Sequence, residues 1–161
     1  MRHSLELKVP PAIVFAGALF AVWLLSRLSE PGFWWGLELA GRLLIGAGAL
    51  VIVAATLQFR RHRTTLDPRE PDKATALLTR GIFAFSRNPI YLAFGLIVLG
   101  FALAAESVAA LIVAPSFMAY LQLFQIKPEE AYLRQKFGQR YLNYCQRTRR
   151  WLGRTLTDDA R

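Results

Sequence analysis

The sequence predicts an all-α integral membrane protein of about four transmembrane helices, closed at its basic end by an amphipathic C-terminal helix. Three observations carry that reading. Over half of the 161 residues are hydrophobic. The apolar residues gather into four runs, separated by charged or turn-forming residues. The surplus of positive charge, a net +9, is confined to segments that a four-span path leaves on one side of a bilayer. A chain of this length is sized for a single domain, 1–161.

The first run, 12–25, follows Arg2, Lys8 and Pro10-Pro11. A signal peptide has similar flanks, but no small-x-small cleavage pattern follows and Arg27 stands where one belongs, so an uncleaved span is expected. The second run, 37–59, exceeds the ~20 residues needed to cross a bilayer, and Gly41, Gly46 and Gly48 leave room for close helix packing. Gly46-Ala47-Gly48 is a poor nucleotide loop, because it lacks a third glycine and a preceding strand. Glu38 and Arg42, four apart on this helix, are expected to neutralise each other near the outer interface.

Residues 60–88 form a polar cytosolic loop centred on Asp67-Pro68-Arg69-Glu70-Pro71-Asp72, where two prolines stop a helix. Asn88 then suits a helix N-cap and Pro89 the first helical position. The third span, 90–105, and the fourth, 108–126, make a hairpin over 89–126, with Ser107 capping the fourth helix and Pro115 kinking it. Runs 12–25 and 90–105 are short and are expected to tilt or to end at the interface.

Pro128, Glu129 and Glu130 open a C-terminal helical region, 127–154, with the acids at the positive end of the helix dipole. Leu133, Phe137, Tyr141, Tyr144, Thr148 and Trp151 recur at steps of three or four, while Arg134, Lys136, Arg140, Arg147 and Arg150 fill other directions. Gly138 marks a break in this region or a close backbone approach. Tyr144 and Trp151 read as interfacial belt residues, and 155–161 as a disordered tail.

The basicity, with Arg60-Arg61-His62-Arg63 as its densest stretch, invites a nucleic-acid reading. Its distribution argues against one. Cations cluster at the N-terminus, in 60–87 and after residue 126, whereas the turns 29–36 and 104–107 carry Glu30 and Glu106 and no Lys or Arg. The positive-inside rule then places both termini in the cytoplasm, in the inner membrane if the cell is prokaryotic, with anionic lipid head groups as the electrostatic partner. The single Cys145 excludes an internal disulfide and reads as a packing residue; His3 and His62 offer no clustered metal site.

Two stretches bear chemistry. One is Thr79-Arg-Gly-Ile-Phe-Ala-Phe-Ser-Arg-Asn-Pro-Ile-Tyr91; the other opens on Glu129-Glu130 and continues through Leu133, Phe137-Gly138, Tyr141 and Tyr144. They set an Arg-Asn-Pro-x-Tyr cap and a double carboxylate at the ends of two neighbouring apolar runs, so both can face one pocket at the membrane surface. In order and spacing, Leu77, Thr79, Gly81, Phe83, Arg87, Asn88, Pro89 and Tyr91, followed by the second stretch, resemble the isoprenylcysteine carboxyl methyltransferase and phospholipid methyltransferase superfamily of membrane enzymes. The likeness covers roughly residues 65–151.

That resemblance implies S-adenosyl-L-methionine held at the cytosolic ends of the last spans by Thr75, Ala76, Leu77, Leu78, Phe83, Arg87, Asn88, Pro89, Ile90, Tyr91 and Glu129. A lipophilic methyl acceptor or lipid would arrive from the bilayer. The residue types suit such a donor: a carboxylate for its ammonium, polar groups for its carboxylate, and apolar or aromatic walls for adenine and the sulfonium. A carboxylate acceptor needs no base, whereas an amine, hydroxyl or thiol is helped by one, for which Glu130 and Tyr141 are the candidates. Phe83 stands where the family often has Tyr, and Ala93 where it often has Gly. Gln125 occupies the substrate-facing position at which the prenylcysteine enzymes carry arginine, and a neutral amide cannot pair with an anion, so a prenylcysteine acid is not the expected acceptor. The alternatives are a lipid-phase reductase and a non-catalytic accessory membrane protein.

Overall fold

The computed structural model describes residues 9–28, 36–61 and 76–155, which are mainly helical and contain no strand. Six helices follow in order: α1 Pro11–Leu28, α2 Leu37–Arg61, α3 Pro89–Ala104, α4 Val113–Leu121, α5 Lys127–Phe137 and α6 Gln139–Arg147. A 3-10 turn, Ala109–Ile112, leads into α4, and a π-helical turn, Gln122–Ile126, joins α4 to α5, so that Ala109–Phe137 winds as one 29-residue rod. Among the described residues three helices are long and apolar enough to cross a membrane: α1, α2 and this rod. At 16 residues α3 is shorter, about 24 Å at 1.5 Å per residue, against a hydrocarbon core of ~30 Å. The fold class is the one the apolar runs predict.

Glycine decides how α2 meets α3. A Cβ on Gly41 would fall 2.5 Å from Gly100 O and 2.6 Å from Ala104 N, and one on Gly48 would fall 2.8 Å from Ala93 O. These pairings make the two helices antiparallel, with backbones in contact where only a hydrogen fits, which maximises dispersion between helices that lipid would otherwise solvate equally well. Gly46 plays no part, since open space surrounds its position. On the other side of α3, Gly95 faces the thioether of Met118, fixing the α3–α4 hairpin. The N-terminal half of α1 completes the core by stacking Phe15 on Phe94, with centroids 4.4 Å apart, and tilting it against Phe117.

Several local expectations change. Pro115 lies in the first turn of α4, directly after the 3-10 turn, where a missing N–H is well tolerated; the change of winding falls instead at Gln122–Ile126. Ser107 Oγ accepts the Ala110 N–H at 3.2 Å, as a cap should. The C-terminal region is two helices rather than one, because Gly138 adopts φ +52 between α5 and α6 with nothing packed against it. Glu38 and Arg42 form the expected exposed pair. The 67–72 turn, His3, His62 and the tail beyond Thr155 lie outside the described residues.

Candidate functional site

The end of the bundle where α2 and the 109–126 segment stop and α3 begins is covered by a cap. It consists of the 76–88 segment, α5, α6 and a hairpin over 147–155. A 3-10 turn, Gly81–Ala84, opens the first motif and buries Phe83, whose ring meets Phe59 of α2 edge-on at 5.3 Å. Asn88 holds the N-cap position of α3 and Pro89 follows, but the Asn88 side chain does not cap. Its amide nitrogen donates to Arg150 O at 3.3 Å, while its N–H is taken by Ser86 Oγ.

The two motif stretches meet. Tyr91 lies buried in the first turn of α3, and its hydroxyl donates to Glu129 Oε2 at 3.1 Å across 38 residues of sequence. One position further on, Glu130 receives two guanidinium groups. Arg150 donates through Nε and Nη2 at 3.1 and 2.6 Å, and Arg87 Nη2 lies 3.2 Å from Oε1. The Glu130 side chain is only 12% exposed, so this carboxylate is a shared counterion with both oxygens engaged. The hydrogen bond from Arg150 raises that guanidinium above its ordinary pKa. Arg87 also donates through Nη1 to Cys145 Sγ, and its Nε is buried without a partner among the described residues.

Carbonyl groups of the first motif are claimed from α6 and the hairpin. Tyr144 OH donates to Phe83 O at 2.6 Å, and Gly153 N to Phe85 O at 2.8 Å. In return Arg87 N donates to Arg149 O at 3.1 Å. Burial pushes the phenols of Tyr141 and Tyr144 well above the usual range, which keeps both protonated.

The phospholipid methyltransferase family model matches residues 37–140. The chain belongs to that family. A protein of Haemophilus influenzae named only as uncharacterized is 40% identical over 63 residues, which are 39% of this chain and the whole of that protein. No solved structure matches. Membership in the phospholipid methyltransferase family makes this a membrane protein of a methyltransferase class that acts on lipid-type substrates.

Within this family member the predicted site residues fall into three groups. Phe83, Arg87, Asn88, Pro89, Ile90, Tyr91 and Glu129 are collected around the start of α3, with Ala76, Leu77 and Leu78 half-buried on the approach to it; Thr75 lies outside the described residues. Glu130 and Tyr141 sit behind them, one locked between guanidiniums and the other 1% exposed. Gln125 is fully buried, with Nε2 donating to Val9 O at the head of α1 and Oε1 unpartnered among the described residues.

Three readings need correction. Tyr144 is an internal tie to Phe83 rather than a belt residue, and Trp151 packs against the core. Cys145 is a hydrogen-bond partner of Arg87 and not simple packing. Sequence reasoning missed Ser86, Arg150 and Gly153 as parts of the site. Arg150 was legible only as one more cation in a basic tail, because nothing local says which carboxylate it will meet.

Proposed function

We propose that this chain is an S-adenosylmethionine-dependent methyltransferase that modifies a lipophilic small molecule or lipid, with the capped end and both termini on the cytoplasmic side. The observation that carries the reading is the Tyr91–Glu129 hydrogen bond, which joins the two motif stretches at one place. The residues present suit the cofactor. Tyr91 takes one oxygen of Glu129, leaving the carboxylate a second for an ammonium group. Arg87 keeps a buried Nε–H without a partner among the described residues, a donor suited to a carboxylate. Phe83, Leu77, Leu78 and Ile90 supply apolar wall.

When bound, S-adenosylmethionine supplies an electrophilic methyl group. The chain's own contribution is to orient and to exclude water. Tyr91 fixes the rotamer of Glu129, and the buried Asn88-Pro89 pair fixes the backbone that presents Ile90 and Tyr91. Glu130 serves as the counterion that sets Arg87, since a carboxylate shared by two guanidiniums is a poor base. Tyr141, buried and protonated, is a positioning residue.

Calorimetry in detergent tests this. Saturable binding of S-adenosylmethionine or its demethylated product is expected, weakened about tenfold or more by Glu129→Gln, which removes a charge-assisted bond. NADPH binding in its place would support a reductase, and binding of neither would leave an accessory protein.

A further inference from the structure

Among the described residues, three side-chain atoms are buried polar atoms without a hydrogen-bond partner: Arg87 Nε, Gln125 Oε1 and Gln58 Oε1. All three belong to the capped end, and Gln58 lies outside both motif stretches. It stands in the last turn of α2, next to Phe59. Its amide nitrogen lies under Gly81, whose φ of +60 suits glycine and where a Cβ would overlap that nitrogen. The turn that opens the first motif is therefore seated on the Gln58 amide. The neighbouring Phe59 and Phe83 rings form an aromatic corner beside it.

A buried amide oxygen without a donor is unfavourable, and a leucine or methionine would occupy similar volume without that penalty. The oxygen can only accept. A flat aromatic base carrying an N–H on its edge is the ligand chemistry that a phenyl corner with an adjacent acceptor recognises. We propose that Gln58 is a further cofactor-binding residue whose amide oxygen accepts a hydrogen bond from the 6-amino group of adenine. This rests on the donor assigned above. The ammonium of that donor goes to Glu129, which leaves the base as the donor-bearing part for Gln58. The oxygen is buried, so this contact requires the Gly81 turn to move when the base enters.

Calorimetry on the full chain in detergent, with S-adenosylhomocysteine and S-inosylhomocysteine as probes, tests the assignment, because the inosyl compound replaces the amino group with an oxygen. The wild-type protein is expected to favour the adenosyl compound about tenfold, the worth of one such hydrogen bond. Gln58→Leu and Gln58→Met are expected to lose that preference through weaker adenosyl binding, with a thermal midpoint no lower than wild type. Equal affinity of the wild-type protein for the two probes overturns the proposal without any variant. So does a Gln58 variant that keeps the full preference. Failure of the wild-type protein to bind either probe overturns the cofactor reading itself, and this inference with it.

Discussion

The α2–α3 interface and the cap that covers it are held together by opposite means. Between α2 and α3 glycine meets backbone, with Gly41 on Gly100 and Gly48 on Ala93, and the side chains packed beside these glycines are the apolar Ile45 and Ile97. In the cap the contacts are hydroxyls, guanidiniums and N–H groups reaching carbonyls and a carboxylate 20 to 68 residues away in sequence. Hydrocarbon solvates apolar side chains as well as a neighbouring helix does, so a membrane interface gains mainly from close approach. At the bilayer surface, irregular backbone has to be satisfied one group at a time. The first arrangement tolerates no added volume; the second tolerates no lost partner.

The largest effect is expected from adding volume to the interface. Gly41→Leu drives a side chain into the backbone of Gly100 and Ala104, which cannot swing aside. A loss of about 3 kcal/mol or more is expected, seen as aggregation in detergent size-exclusion chromatography. Survival of Gly41→Leu with an unchanged thermal midpoint would show that α2 does not pack on α3 in this register.

Next is the removal of the shared counterion. Glu130→Ala leaves Arg87 and Arg150 facing each other in a largely buried place and should cost about 3 kcal/mol, read from thermal unfolding, with methyl transfer lost through misplacement of Arg87. If Glu130 were instead a base, Glu130→Gln would retain cofactor affinity while losing turnover, so the two measurements separate the roles. Tyr144→Phe strands the Phe83 carbonyl and is expected to cost about 1–2 kcal/mol in the same assay, with weaker binding of the demethylated cofactor. The smallest effect belongs to Arg42→Ala. Its partner Glu38 and the arginine are both more than half exposed, and a change below about 0.5 kcal/mol is expected.

Much of the bundle was legible from local pattern. The four runs appear as helices starting within a residue or so of the apolar boundaries, because length and hydropathy alone determine what crosses a bilayer. Gly41 and Gly48 were readable as packing positions, yet Gly46 looked the same and faces open space, since a glycine does not state which side of its helix is covered. The Asn88-Pro89 start of α3 was equally visible, but the Asn88 side chain prefers a distant carbonyl to the local cap. The three- and four-residue spacing from Leu133 to Trp151 suggested one continuous face, while Gly138 left open a break or a close backbone approach; the structure has the break, with nothing packed against the glycine.

The sequence by itself determined the helical class, the apolar spans, the basic end and the two motif stretches, each of which depends on composition or on neighbours within a few turns. Only the tertiary structure decided that the Tyr91 hydroxyl meets Glu129, that Glu130 is shared by Arg87 and Arg150, and that Gln58 lies beneath Gly81. The physical reason is that apolar burial is a property of a segment, whereas a hydrogen bond needs two particular atoms within about 3 Å. Which carbonyl or carboxylate remains unclaimed is known only after every helix has been placed.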